Sequence, residues 1–236
     1  VTQPVVGVLA LQGGVAEHLA ILASLGARAV RVRSASDVVG DRGAPVIDAL
    51  VLPGGESSTM DRLCRTFGLF DPLRQVIAAG LPVLGTCAGL IMLATHIEDP
   101  APGQQSLGVL DVTVTRNAFG SQVDSAEVSL EWAGSRAPSG RSEPCDDAAA
   151  NPFGPAADAV TAPSDAVRAA FIRAPAVTRV GNRVAVLARY RDAVVAVRQD
   201  NILGISFHPE LTGDTTVHEE LLGLVRTRRS AEASAA

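Results

Sequence analysis

Three short apolar runs, "VVGVLAL" at 5–11, "ALVL" at 49–52 and "LPVLG" at 81–85, each end at a glycine-bearing turn followed by a helical pattern. Such a run cannot lie on a sheet with one wet face, because every second side chain would face water. It needs both faces covered, which is the condition of parallel strands flanked by helices. The intervening segments supply the cover. "VAEHLAILASLG" places apolar residues at helical spacing and stops at Gly26, "SSTMDRLCRTFGLF" opens on Ser and Thr, and 71–80 holds a further short helix. The order predicts an α/β fold: an open, mostly parallel sheet with helices on both faces. The 236 residues suit one large domain or two small ones, and at 47% hydrophobic but 3% aromatic the core must be Val, Leu, Ile and Ala.

Beyond His96 the period changes to two. "LGVLDVTVTR", "AEVSLEW", "VAVLARY" and "AVVAVRQ", joined by turns such as "VGNR", predict antiparallel strands added to the sheet. "AGLIMLATH" reads as a helix that His96 ends, and "DTTVHEELLGLVRTR" as the closing helix. A single domain over 1–229 is expected, with a disordered tail at 230–236. Residues 133–165, rich in Ala, Pro, Gly, Ser and Asp, read as a flexible surface insertion, with Cys145 a bystander inside it.

The net charge of -5 gives no footprint for nucleic acid. No apolar stretch reaches the roughly 18 residues of a membrane span. No basic region precedes an apolar stretch at the start, so no signal peptide is expected. Three cysteines at irregular spacing give no disulfide framework, and a cytoplasmic protein with reduced thiols is expected.

The chemistry centres on "VLGTCAGLIML" at 83–93. Cys87 stands where strand meets helix, in Gly85-Thr86-Cys87-Ala88-Gly89, the cysteine form of the G-x-S-x-G nucleophile elbow. Small neighbours let the backbone close a sharp turn, and the side chain then projects at the carboxyl end of the sheet, where open α/β folds bind ligands. The start of the following helix favours negative charge, hence a thiolate, and the Ala88 amide can face a developing oxyanion. Of the four histidines, His18 and His218 fall among helix-surface residues. His208 ends the strand "ILGISF" before Pro209 and Glu210. Proline biases its predecessor to extended geometry, and in an extended segment residues i and i+2 share a side, so Glu210 can orient His208. Nucleophile, base and orienter then follow in the order Cys87, His208, Glu210. "LPGGESSTM" offers a second oxyanion donor at Gly54 or Gly55. It lacks the P-loop pattern, and "ALQGGVAEH" lacks G-x-G-x-x-G.

"PVLGTCAGLIML" with "SFHPE" resembles the triad-type (class I) glutamine amidotransferases. "GVLALQGGVAEH", "LPGGESSTM", "RNAFGSQ", "FIRAP" and "FHPELT" are similar to the glutaminase subunits of the two-protein pyridoxal 5′-phosphate synthases. The resemblance covers nearly the whole chain except the insertion and the last few residues. It implies Cys87 as nucleophile with His208 and Glu210 completing a triad, and glutamine binding by Gly55, Glu56, Ser57, Arg116, Ile172 and Arg173. An arginine grip on the substrate α-carboxylate is chemically apt. Gln12 is a second-tier candidate for setting the oxyanion loop. No metal or organic cofactor is implied. The implied partner is a barrel synthase that receives ammonia in a hetero-oligomer and switches the glutaminase on by docking. A glutaminase for another synthase, such as the imidazole glycerol phosphate branch, and a non-catalytic binding module stay open as alternatives.

Overall fold

The computed structural model describes residues 2–41, 43–116, 118, 127–133 and 166–235. The expected insertion beyond Ala133, with Cys145, and Asn117, Phe119 and Gly120 of "RNAFG" lie outside the described residues.

Five parallel strands form one half of a ten-stranded sheet. They are β1 (Val5–Leu9), β2 (Arg28–Val32), β3 (Ala49–Leu52), β4 (Val83–Thr86) and β12 (Ile202–Ile205), in the order β2-β1-β3-β4-β12. The sheet continues past β12 through β11 (Ala193–Gln199), β9 (Ala176–Val180), β6 (Leu110–Thr115) and β5 (Ala94–Glu98), and β10 (Ala185–Tyr190) also pairs with β11. The expected antiparallel additions are here: β11 against β12, β9 and β10, and β6 against β9. Strands β7 (Glu127–Glu131) and β8 (Ala166–Ala170) form a separate antiparallel pair on either side of the insertion.

Alternation along the five parallel strands feeds two cores. Leu50, Leu52 and Val83 face one, with Met60 and Cys64 of α2 (Ser57–Thr66), Leu73 of α3 (Phe70–Ala78) and Leu90 of α4 (Ala88–Leu93). Val6, Val8, Ala49, Val51 and Leu84 face the other, with Leu22 of α1 (Val15–Ser24) and Val217 and Leu221 of α6 (Thr216–Ala235). The helices therefore cover both faces, as the apolar runs require. Among the described residues no helix is long and apolar enough to cross a membrane.

Two expectations need correction. The helix read over 88–96 stops at Leu93, and "ATH" opens β5, paired in parallel with β6. Residues 88–94 are buried throughout, and an apolar run buried on all sides carries no period to separate helix from strand. The last helix runs on to Ala235, through residues expected as a disordered tail. Its end is Ala-, Glu- and Arg-rich, with good helix propensity and an Arg228–Glu232 pair at i,i+4.

Candidate active site

Because these five strands are parallel, their carboxyl ends gather along one edge. The segments after β1, β3, β4 and β12 begin there, and each carries a piece of the site. The piece after β4 is a strained turn. Cys87 has φ 48° and ψ -99°, a conformation that non-glycine residues avoid, and its N–H donates to the Ile205 carbonyl at 2.8 Å. The flanking glycines exist for packing. A Cβ on Gly85 would lie 2.6 Å from the Gly89 carbonyl carbon, and one on Gly89 would collide with the Leu52 carbonyl. The helix can sit directly on β3 and β4 only if both positions lack a side chain. Ala88 then opens α4, with its amide among those that have no intrahelical partner.

β12 ends at Ile205, and the chain continues through Ser206 and Phe207 to His208, which precedes a single helical turn, α5 (Pro209–Thr212). Glu210 is therefore helical rather than extended, contrary to the expectation from Pro209. Proline is favoured in a first helical turn as well, and that preference wins here. The pair forms all the same: His208 Nδ1 donates to Glu210 Oε1 at 2.7 Å, and both residues are buried. Burial alone would lower the His208 pKa. Cys87 and Glu210, as hydrogen-bond partners and as charges, outweigh it and raise His208 to about 10. That describes an imidazolium favoured by its contacts with Cys87 and Glu210.

The β3 segment packs on this group. A Cβ on Gly54 would clash with the His208 ring, nearest Cε1 and 2.9 Å from Nδ1. Two hydrogen bonds fix the loop: Gly14 N–H donates to the Gly54 carbonyl at 3.2 Å, and Glu56 N–H donates to Gln12 Oε1 at 2.9 Å. The Gly54–Gly55 peptide is trans, so its carbonyl and N–H point oppositely. The carbonyl faces Gly14, on the β1 side. The Gly55 N–H is thus turned away from Gly14.

Around the start of α2 lies a second cluster. Glu56 caps that helix, accepting from the N–H groups of Ser58 and Thr59. Burial would raise its carboxyl, but the hydrogen bonds from Ser58 and Thr59 hold it down at about 2. Arg116 reaches Glu56 Oε1 at 3.2 Å and Gln104 Oε1 at 3.0 Å, and Gln104 Nε2 donates to Ser57 Oγ at 3.0 Å. "FIRAP" arrives from β8: His208 N–H donates to the Ala170 carbonyl at 2.8 Å, and the Ile172 carbonyl lies 4.0 Å from Cys87 Sγ. Ile172 and Arg173 are exposed, and Arg173 is itself at φ 45°.

The structure thus joins Cys87, His208 and Glu210, ties Gln12 to the loop at Gly54–Glu56, and groups Glu56, Ser57 and Arg116. Three residues escaped the sequence reading. Gln104 sits in a loop without periodicity. His18 and His218, expected on helix surfaces, are fully buried, with His18 Nδ1 2.8 Å from His218 Nε2. One signal was available for His18: it falls on the apolar stripe with Ile21 and Leu22. Among the described residues no cluster of His, Cys, Asp and Glu could hold a metal ion.

Known proteins resemble the chain over most of its length. Residues 8–138 and 150–225 match the family described as "SNO glutamine amidotransferase family". A "Pyridoxal 5'-phosphate synthase subunit PdxT" of Leifsonia xyli subsp. xyli is 51% identical over 226 residues, covering 95% of this chain and 98% of that one. The protein of the same name from Cutibacterium acnes is 46% identical, covering 93% and 96%. A solved structure titled "Crystal structure of glutamine amidotransferase" superposes with a TM-score of 0.73 at 39% identity, covering 93% of this chain and 98% of that one. The structure of PurLQS from Thermotoga maritima, at 15% identity and a TM-score of 0.58, shares the fold.

Proposed function

The chain belongs to the SNO glutamine amidotransferase family, and from that we propose that it is the glutaminase subunit of a pyridoxal 5′-phosphate synthase, with Cys87, His208 and Glu210 as its triad. The observation that carries the assignment of residues is the strained Cys87 turn beside the buried His208–Glu210 pair at 2.7 Å.

Glutamine enters at the carboxyl edge of the sheet. The Cys87 thiolate attacks the side-chain amide carbon, and the oxyanion is received by the Ala88 and Gly55 amides. His208 gives its proton to the departing nitrogen, and ammonia leaves. The γ-glutamyl thioester on Cys87 is then hydrolysed by a water that His208 deprotonates, releasing glutamate and restoring the Cys87 thiolate beside a protonated His208. Glu210 holds the imidazole in place and balances its charge. Arg116 and Arg173 bind the α-carboxylate, and Glu56, whose side chain is 46% exposed, suits the α-ammonium in charge. No step needs a metal or organic cofactor.

Ammonia passes to the partner synthase. Ile172 and Leu211 are exposed large apolar side chains on two of the segments at the site, 41% and 49% accessible. Apolar residues at a site mouth suit a partner that covers it. Docking there would also act on the segment whose carbonyl faces Cys87, which supports an activity gated by the synthase.

Rapid acid quench during turnover, with the synthase present, tests the assignment by mass spectrometry of the Cys87 peptide. A γ-glutamyl adduct on Cys87 is expected. Full ammonia release by Cys87→Ala would overturn it.

A further inference from the structure

Against Glu210 lie two buried imidazoles that the mechanism above does not use. His18 Nε2 is 3.6 Å from Glu210 Oε1 and 3.4 Å from Thr86 Oγ1, while its Nδ1 meets His218 Nε2 at 2.8 Å. Both rings are completely buried. Burial depresses both: His18 falls well below the ordinary value, with His218 and His208 adding to the effect, and His218 falls to about 4 despite the opposing charge of Asp214. Both are therefore neutral at physiological pH, and each carries one ring proton.

Two neutral imidazoles that share one hydrogen bond have two arrangements. In the first, His18 Nδ1–H donates to His218 Nε2. The His218 proton is then on Nδ1, an atom that is buried and has no hydrogen-bond partner among the described residues. A buried N–H without an acceptor is costly. The same arrangement leaves a lone pair on His18 Nε2 facing the Glu210 carboxylate. In the second, His218 Nε2–H donates to His18 Nδ1. The unpartnered His218 Nδ1 is then only a lone pair, and His18 carries its proton on Nε2, towards Thr86 and Glu210. The second arrangement is favoured at both ends.

We propose that His18 is a positioning residue: locked by His218 as the Nε2–H tautomer, it presents that N–H to Glu210 Oε1 and holds the carboxylate facing His208. The inference rests on Glu210 being the orienter of the triad. At 3.6 Å the contact is an electrostatic one rather than a hydrogen bond, and the buried surroundings screen it weakly. Thr86 Oγ1 steadies the same N–H from the residue preceding Cys87. The relay therefore runs from α6 through α1 to the imidazole that serves the thiol.

The chain labelled with 15N-histidine tests this without any substitution. Long-range nitrogen–proton correlation near neutral pH is expected to show His18 protonated at Nε2 and bare at Nδ1. A proton on His18 Nδ1, alone or in a doubly protonated ring, would overturn the proposal. Turnover with the cognate synthase gives a second arm. Gln places an amide N–H near the Nε2 position, whereas Asn reaches only the Nδ1 position. His18→Gln is expected to keep kcat within about threefold of the parent chain. His18→Asn and His18→Phe are expected to lose about tenfold in kcat, about 1.4 kcal/mol, with KM within about twofold. Equal losses in all three variants would overturn the positioning role. A chain with the expected His18 tautomer that releases no ammonia with the synthase would instead refute the assigned reaction.

Discussion

Gly54→Ala isolates the packing of the Gly54–Gly55 loop on the His208 imidazole, the proposed base. The φ of Gly54 is not positive, so alanine there meets a steric cost and not a backbone one. The new methyl would press against the His208 ring, 2.9 Å from Nδ1 and closer still to Cε1. Restoring normal contact takes about an ångström of movement by the ring or the loop. Either movement is harmful. A displaced ring leaves the 2.7 Å bond to Glu210, and a displaced loop pulls Gly55 from the oxyanion position and strains the anchors at Gly14 and Gln12. An ångström of misplacement costs about 100-fold in rate, which is about 2.7 kcal/mol of barrier. Ammonia release from glutamine, measured with the synthase present, is expected to fall by that factor, while thermal stability moves little because the loop lies outside both cores. Gly26→Ala is the control. No atom lies within 4 Å of its Cβ, and its φ of +80° costs stability without touching the site. Gly54→Ala activity within about threefold of the parent chain would refute the reasoning.

Arg116→Ala should raise KM for glutamine about tenfold or more, with a smaller change in kcat, and Arg116→Lys should not restore it, because one ammonium cannot reach both Glu56 and Gln104; steady-state kinetics decide. Buried Cys64, its thiol pushed up to about 12 by desolvation and by Asp61, should resist iodoacetamide in the folded chain, whereas Cys87 is labelled; peptide mapping before and after unfolding checks this. His218 titrates near 4 folded and near 6.5 unfolded, so the unfolded chain binds the extra proton between those values and stability falls as pH falls through that window. One such group contributes at most about 3 kcal/mol, so melting temperature between pH 6.5 and 4 should drop more steeply in the parent chain than in His218→Phe.

How much could be read beforehand follows from where each signal lies along the chain. The parallel sheet was legible because unbroken apolar runs admit few other solutions, and Cys87 because its two glycines are adjacent in sequence to the turn they permit. His208 and Glu210 were legible as neighbours, although the helical turn at Pro209 was not. A proline serves equally after an extended residue and in a first helical turn. The end of α4 was hidden for a similar reason: a run buried on every side has no period. His18 and His218 are 200 positions apart, and only the packing of α1 and α6 on one face of the sheet brings them together. Gln104 is tied to Ser57 and Arg116 across a loop with no pattern of its own.

The central claim is that Cys87, at the carboxyl edge of the sheet, cleaves the glutamine amide for a partner synthase. Ammonia release by the purified chain, with and without the cognate synthase and beside Cys87→Ala, tests it most directly. The account predicts release that requires Cys87 and rises strongly when the synthase is added. Undiminished release by Cys87→Ala, or none from the folded parent chain with a competent synthase, would contradict it.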